Sequence, residues 1–184
     1  MTKAFACTLA AAVIMTVVAV SPARAQMPPP PGPEHQVLAS DAGTWDAVVE
    51  MVIPDGSTMR STGVQEDTLA CGGRCVVTAF KSEMMPGTTF EGHGVTTWDG
   101  AKKKYVGAWT DSMSSGMGMS EGTYDAATKT LTSFMEGPDM TGAVVKTKSV
   151  LQYPDADHKV MTMFMTGPDG KEAQGMKISY TRRK

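Results

Sequence analysis

Three turns of one composition punctuate the second half of the chain: Trp98-Asp99-Gly100, Tyr124-Asp125-Ala126 and Tyr153-Pro154-Asp155. Each follows a run of alternating side chains and leads, past a Lys or His, into another such run. The turns recur after 26 and then 29 residues, which is room for two strands and two turns. This spacing predicts antiparallel strands that follow one another up and down. Such a sheet usually closes on itself and can then hold a small molecule.

Strand patterns account for nearly all of the chain after residue 43, and only one short helix is predicted, over Pro33–Ser40. Turn sequences such as Pro54-Asp55-Gly56-Ser57 separate the strands. The fold class is therefore all-β, an up-and-down antiparallel barrel of about ten strands with one short N-terminal helix. The predicted strands cover residues 45–53, 59–69, 76–83, 90–98, 104–111, 117–124, 130–136, 144–153, 159–166 and 174–182.

The first 25 residues have the composition of a secretory signal peptide. A basic start at Lys3 precedes the apolar run Ala4–Val20, and Ala23-Arg24-Ala25 supplies a small-x-small cleavage site. A retained anchor helix is the alternative, but the run is short for a membrane span and no stop-transfer pattern follows. We expect an exported protein, periplasmic or secreted, without an integral membrane span after cleavage. Residues 26–33 form a proline-rich linker, and residues 34–184 form the barrel domain.

Charge argues against nucleic acid as a partner. Loss of Lys3 and Arg24 with the signal leaves 15 basic and 19 acidic residues, a net charge of −4, and no basic face is evident. No pattern specifies an oligomeric state.

Two cysteines remain after processing, in Cys71-Gly72-Gly73-Arg74-Cys75. Export exposes them to an oxidising compartment, and a tight Gly-Gly hairpin would bring them together across its mouth. We predict a disulfide that stabilises the fold by about 2 kcal/mol, because the closed loop is small. Metal binding or redox chemistry is the alternative, although the spacing is not that of CxxC motifs.

An arginine near the C-terminus is predicted to stack over Trp45. In a closed barrel the first and last strands are neighbours, so Arg182 or Arg183 can reach the indole ring and seal one end. A cation–π contact of this kind contributes about 0.5–2 kcal/mol. The predicted role is structural.

Methionines are unusually frequent, with 14 left after removal of Met1 and Met15. Met161, Met163 and Met165 alternate along one strand and therefore share a face. Met117 and Met119 do the same on another strand. Because methionine is flexible and polarizable, these residues are predicted to line the barrel interior.

Copper binding is the alternative interpretation of these methionines. Met113, Met117 and Met119, with His93 or His158, offer soft ligands for Cu(I) in an exported protein. Sacrificial scavenging of oxidants is a third interpretation.

Two further patterns contain residue types that can bind a cofactor or catalyse a reaction. His93 lies between Gly92 and Gly94, where a backbone or ligand can approach closely, so His93 is a candidate haem ligand inside the barrel. The segment Gly118-Met119-Ser120-Glu121-Gly122 matches the nucleophile elbow of hydrolases but lacks the helix that this motif requires. We predict no catalytic residue and no cofactor, and an enzyme is the least favoured class.

The favoured function is noncovalent binding of a small apolar or amphipathic molecule in the barrel. The alternatives are the methionine-rich Cu(I) or oxidant handler and a filled barrel that acts as a structural or interaction module. The predicted cavity-lining residues share one strand face and are Trp45, Val49, Met51, Phe80, Trp109, Met161, Met163, Met165, Ile178 and Tyr180.

Short motifs across residues 34–184 resemble a bacterial family catalogued as a domain of unknown function. They are Gly43-Thr44-Trp45-Asp46, Gly72-Gly73-Arg74, residues 102–106, 111–114, 120–125, 128–131 and 165–172. The resemblance implies a lipocalin-like (calycin) barrel that is often exported, and it brings no established activity or catalytic residues. The chain departs from the family at Cys71, Cys75 and His93, where apolar residues are usual.

Overall fold

A computed structural model describes residues 29–53, 55–85, 87–166 and 170–184 of the chain. The predicted signal peptide and residues 26–28 of the predicted linker lie outside the described residues. Within the described residues, ten antiparallel strands form a closed barrel, and one helix precedes them. The sequence prediction of an up-and-down all-β barrel with one short N-terminal helix is therefore confirmed.

Each strand pairs with the strand that follows it, and the first pairs with the last to close the barrel. The helix α1 covers Pro33–Asp41 and has proline in its first turn, where the missing N–H costs nothing. The strands are β1 Gly43–Val52, β2 Thr58–Ala70, β3 Cys75–Met85, β4 Thr88–Asp99, β5 Lys104–Asp111, β6 Gly118–Asp125, β7 Thr130–Pro138, β8 Val144–Gln152, β9 His158–Thr166 and β10 Glu172–Arg182.

Strand alternation divides the wall into an inner and an outer face. The inner face of β1 carries Trp45, Ala47 and Val49, all buried. They pack with Ile178 and Tyr180 of β10. The pairing register extends this inner face around the whole barrel, so each residue's side can be read from its strand partners.

The recurring aromatic–Asp turns share one hydrogen-bonding pattern. In each, an aspartate oxygen accepts a hydrogen bond from the backbone N–H two residues later, at 2.9 Å for Asp99, 2.9 Å for Asp125 and 2.8 Å for Asp155. This is the usual way in which an aspartate stabilises a tight turn. The aromatic residue of each motif has a separate role, because Trp98, Tyr124 and Tyr153 pack against the buried cluster that includes Leu38 of the helix.

The β2–β3 turn holds a disulfide between Cys71 and Cys75, whose Cα atoms are 5.6 Å apart. The turn is longer than a Gly-Gly pair, because Ala70 and Cys75 are the last paired residues. Cys71 therefore lies within the turn, at a φ of 55°, and the disulfide staples the turn across its base.

Candidate functional site

The helix α1 covers one end of the barrel, which we call the closed end. Leu38 is 1% exposed and packs in a cluster with Val76, Tyr105 and Leu131. The Tyr105 hydroxyl donates a hydrogen bond to the Glu34 carbonyl at 2.9 Å. The other end, which we call the open end, is surrounded by strand turns, since α1 is the only helix in the described residues.

A buried lysine occupies the lumen at the closed end. Lys159 on β9 is 1% exposed, and its Nζ lies 2.8 Å from Asp67 Oδ2 and 3.0 Å from Asp41 Oδ1. Asp67 also accepts hydrogen bonds from Gln65 at 2.7 Å and from Thr78 at 2.6 Å. The network joins three elements, because Asp41 ends α1, Asp67 belongs to β2 and Lys159 to β9.

Two cations lie over the Trp45 indole ring. The Lys159 Nζ is 4.3 Å from the ring centroid, and the Arg182 guanidinium carbon is 4.0 Å from it. Lys159 also lies 5.2 Å from the centre of the Tyr180 ring. The Trp45 Nε1–H donates to the Asp41 carbonyl at 2.8 Å, so the indole ring and the ion-pair network hold the same end of α1.

Arg182, rather than Arg183, makes the contact expected of a C-terminal arginine. Its guanidinium donates to the carbonyls of Ala42 at 2.7 Å and Ser40 at 2.9 Å, so it satisfies backbone acceptors at the end of α1. Arg183 instead pairs with Asp46, which is half exposed. One arginine therefore ties the last strand to the helix, while the other lies outside.

Burial alters the acid–base behaviour of the closed end. It raises the pKa of Asp41, and the nearby Lys159 charge partly offsets this rise. Burial also raises the pKa of Tyr153 well above its ordinary value, with the Asp41 charge adding to the effect. The Tyr153 hydroxyl therefore stays protonated and donates to Asp41 Oδ2 at 3.1 Å. Among the described residues, no buried side-chain nitrogen or oxygen lacks a hydrogen-bond partner.

Sequence reasoning missed this network, although a signal for it was present. Lys159 lies two residues before Met161, and Asp67 lies two residues before Leu69, so strand alternation assigns both to the inner face. One lysine and one aspartate at inward positions of a barrel predict an ion pair, because a lone buried charge is too costly.

Methionines concentrate on the inner face toward the open end. Met59, Met51, Met176 and Met163 are successive partners on β2, β1, β10 and β9. All four are half-buried. Met165, two residues beyond Met163, lies against Gly175, where a bulge shifts the register of β10.

Gly92 and Gly94, on either side of His93, leave room for a neighbouring aromatic ring. The Trp109 indole lies across Gly92 and Gly94, and a Cβ at either position would overlap it. The close approach expected at these glycines is therefore made by Trp109. His93 itself points outward, is 56% exposed and lies 3.4 Å from Glu91, so it cannot ligate a haem within the barrel.

Sequence comparison decides the family. The profile described as "Protein of unknown function (DUF1579)" matches residues 30–182. The chain belongs to the DUF1579 family. Among curated protein sequences, none matches it.

Two solved structures share the fold of this DUF1579 protein at low sequence identity. Rv2717c from M. tuberculosis superposes with a TM-score of 0.62 at 12% identity, covering 83% of this chain and 99% of its own. The S-type phycobiliprotein lyase CPES from Guillardia theta gives a TM-score of 0.55 at 8% identity, covering 82% of this chain and 93% of its own. These likenesses agree with the lipocalin-like barrel that the family resemblance implied.

The ten residues predicted to line a cavity all lie on the inner face of this DUF1579 barrel. Five of them are buried together: Trp45, Val49, Phe80, Ile178 and Tyr180. Trp109 and Met161 pack against that group. Met51 and Met163 follow toward the open end, where Met165 is 53% exposed.

The other predicted methionines have a different location. Met119 is opposite Ala108 on the outer face and is 59% exposed. Met117, two residues earlier in the chain, is 57% exposed. The prediction that these two residues line the interior is wrong, because Gly118 and Ser120 hold the inward positions of β6. His158 lies at the closed end, where it contacts Asp155 at 2.8 Å, so it is not grouped with Met117 and Met119.

The hydrolase-like segment Gly118–Gly122 belongs to strand β6. Ser120 therefore lacks the sharp strand-to-helix turn that exposes a nucleophilic serine. Within the described residues, no helix has the length and apolar character that a membrane crossing requires.

Proposed function

We propose that this DUF1579 protein is exported and binds a small apolar or amphipathic molecule noncovalently in the lumen of its barrel. One observation carries the proposal. Trp109, Met161, Ser133 and Ser149 face the lumen, yet each remains only half-buried. A tightly packed interior would bury such inward residues completely. Their incomplete burial supports a lumen that is not completely filled.

The shape of that space follows from an asymmetry between opposite walls. One wall carries the large apolar side chains of β1, β3 and β10. Strands β5 to β8 lie across the barrel from β10, β1, β2 and β3. Their inner positions include several small residues, which we call the small-residue wall: Gly107, Ser120, Gly122, Ser133 and Ser149. The larger Trp109 and Met135 lie among them on the same face.

This asymmetry favours an amphipathic ligand. A flat or elongated apolar body would pack on Trp109 and Met161, which are only partly buried beside the core cluster, and burial of apolar surface contributes about 25 cal/mol per Å². Hydroxyl groups on the small-residue wall would receive a polar substituent. Entry from the open end fits the same arrangement, because flexible methionines can adapt to ligands of different outline.

Native mass spectrometry of the protein purified from its own cell envelope tests the proposal, together with titration by a hydrophobic fluorophore. We expect a copurified small molecule, or saturable fluorophore uptake by the stripped protein. Absence of both would overturn the proposal.

A matched pair of variants locates the binding site. Ser149→Trp places a large ring on the inner face and should weaken fluorophore binding at least tenfold. Thr132→Trp adds the same ring on the outer face and should leave binding unchanged, since Thr132 alternates with the inward Ser133. Equal binding by both variants would favour a filled barrel that acts as an interaction module.

A further inference from the structure

We propose that the inner methionines at the open end form a binding site for a soft monovalent cation, Cu(I) or Ag(I). The site consists of Met51, Met59, Met163, Met176 and Met165, which we call the methionine band. It differs from the Met113, Met117 and Met119 set that the sequence suggested, and it borders the small-residue wall where Met163 is opposite Ser149.

The pairing register places four thioethers side by side. Met59 is opposite Met51, Met51 is opposite Met176, and Met176 is opposite Met163. Inward side chains that are directly opposite on neighbouring antiparallel strands have Cβ atoms about 4.5–5.5 Å apart. Three-bond side chains of this length can turn their sulfur atoms toward a shared point between strands.

The fifth methionine extends the band on the same side. The Met165 sulfur lies 3.0 Å from the point where a Gly175 Cβ would be, so its thioether rests on the backbone next to Met176. A side chain at position 175 would displace it. The bulge between Gln174 and Met176 thus brings a thioether from β9 beside the methionine of β10.

The chemistry of the donors selects the ion. Thioethers are soft, neutral ligands that bind Cu(I) in preference to Mg²⁺, Ca²⁺ or Mn²⁺, which require oxygen ligands. In the described residues, no group of three or more His, Cys, Asp and Glu residues is arranged to hold a metal. Each of Met51, Met59, Met163 and Met176 is half-buried, so an ion arriving through the open end can reach them.

Titration with Ag(I) in chloride-free buffer tests the proposal without a reductant, so the Cys71–Cys75 disulfide stays intact. All forms of the full chain carry Cys7→Ser, so that no free thiol competes for the ion. We expect saturable binding by the parent and at least tenfold weaker binding by Met51→Leu/Met163→Leu/Met176→Leu. Leucine conserves volume closely, so this variant should keep its fold.

The matched control removes three exposed thioethers, Met117, Met119 and Met140, by the same change to leucine. It should bind Ag(I) like the parent. Methyl-labelled methionine NMR supplies the direct readout, because resonances of the methionine band should shift on Ag(I) addition while those of the control set stay in place. No saturable binding by the parent, or equal loss in both variants, would overturn the proposal.

The test is separate from that of ligand binding in the lumen. Ag(I) binding is measured by ion titration and by methionine methyl shifts, and neither measurement depends on fluorophore uptake, so failure of one proposal leaves the other standing. Binding should also persist at about pH 5, since a thioether has no proton to gain or lose there, unlike a histidine ligand. Loss of Ag(I) binding at that pH would assign the ion to protonatable groups instead.

Discussion

The closed and open ends of the barrel have different chemistry although the same strands build both. The closed end contains a buried lysine, two aspartates and a ring of aromatic side chains around Leu38. The open end presents half-buried methionines to the lumen. Directional hydrogen bonds and ion pairs require one arrangement of their partners, whereas thioether chains tolerate several.

This difference shows that one barrel can combine a rigid end with an adaptable end. The ion-pair network at the closed end joins α1 to β2 and β9, so distortion there would expose or separate buried charges. Distortion at the open end would not separate or expose buried charges among the inward methionines, because thioethers are uncharged. We expect stability to depend mainly on the closed end and binding mainly on the lumen and the open end.

The largest expected effect is loss of the buried cation at the closed end. Lys159→Met leaves Asp41 and Asp67 without their shared partner and should lower the free energy of unfolding by about 3–5 kcal/mol. Urea denaturation followed by circular dichroism measures this value. Lys146→Met, which removes an exposed ion pair with Glu136, should change it by less than about 1 kcal/mol. A similar loss of unfolding free energy in both variants would show that the buried ion pairs at the closed end stabilise the fold no more than an exposed pair does.

The next largest effect concerns the helix. Leu38→Ala leaves a cavity between α1 and the barrel and should lower the free energy of unfolding by about 3 kcal/mol, because this side chain is almost wholly buried. Gln36→Ala on the exposed side of α1 should change it by less than about 0.5 kcal/mol. Hydrogen exchange adds spatial detail, since weakened protection should be greatest at the closed end. A loss of hydrogen-exchange protection confined to the open end would contradict the placement of Leu38 in the core of the closed end.

A moderate effect is expected from the arginine that covers Trp45. Arg182→Lys keeps the charge but loses the planar stack and the fork that reaches Ser40 and Ala42, so stability should fall by about 1–2 kcal/mol. Thermal unfolding measured beside Arg183→Lys provides the comparison, since Arg183 pairs on the outside. An equal shift in melting temperature for the two variants would show that stacking on Trp45 adds nothing.

The smallest effect is expected at the open end. Met51→Leu conserves volume in a flexible surrounding and should change the free energy of unfolding by at most about 1 kcal/mol. Its thermal unfolding should therefore resemble that of the parent protein. A loss approaching that of Leu38→Ala would mean that the open end is packed as tightly as the closed end.

Much of the fold was predictable because local signals agreed with one another. Alternation assigned Trp45, Val49 and Met51 to one face, and the structure places all three inward. The strand Lys104–Asp111 was predicted with its observed bounds. Met117 and Met119 were misassigned because two alternating methionines do not reveal which parity faces the lumen, and Gly118 and Ser120 hold the inward positions instead.

The sequence by itself determined the strand periodicity, the aspartate-stabilised turns and the up-and-down order, because these depend on residues close together in the chain. Tertiary structure alone decided which inner side chains meet. Lys159 is 118 residues from Asp41 and 92 from Asp67, and the four paired methionines come from four strands. Barrel closure and the register of each strand pair determine these contacts. Both depend on the whole sheet rather than on any one segment of the chain.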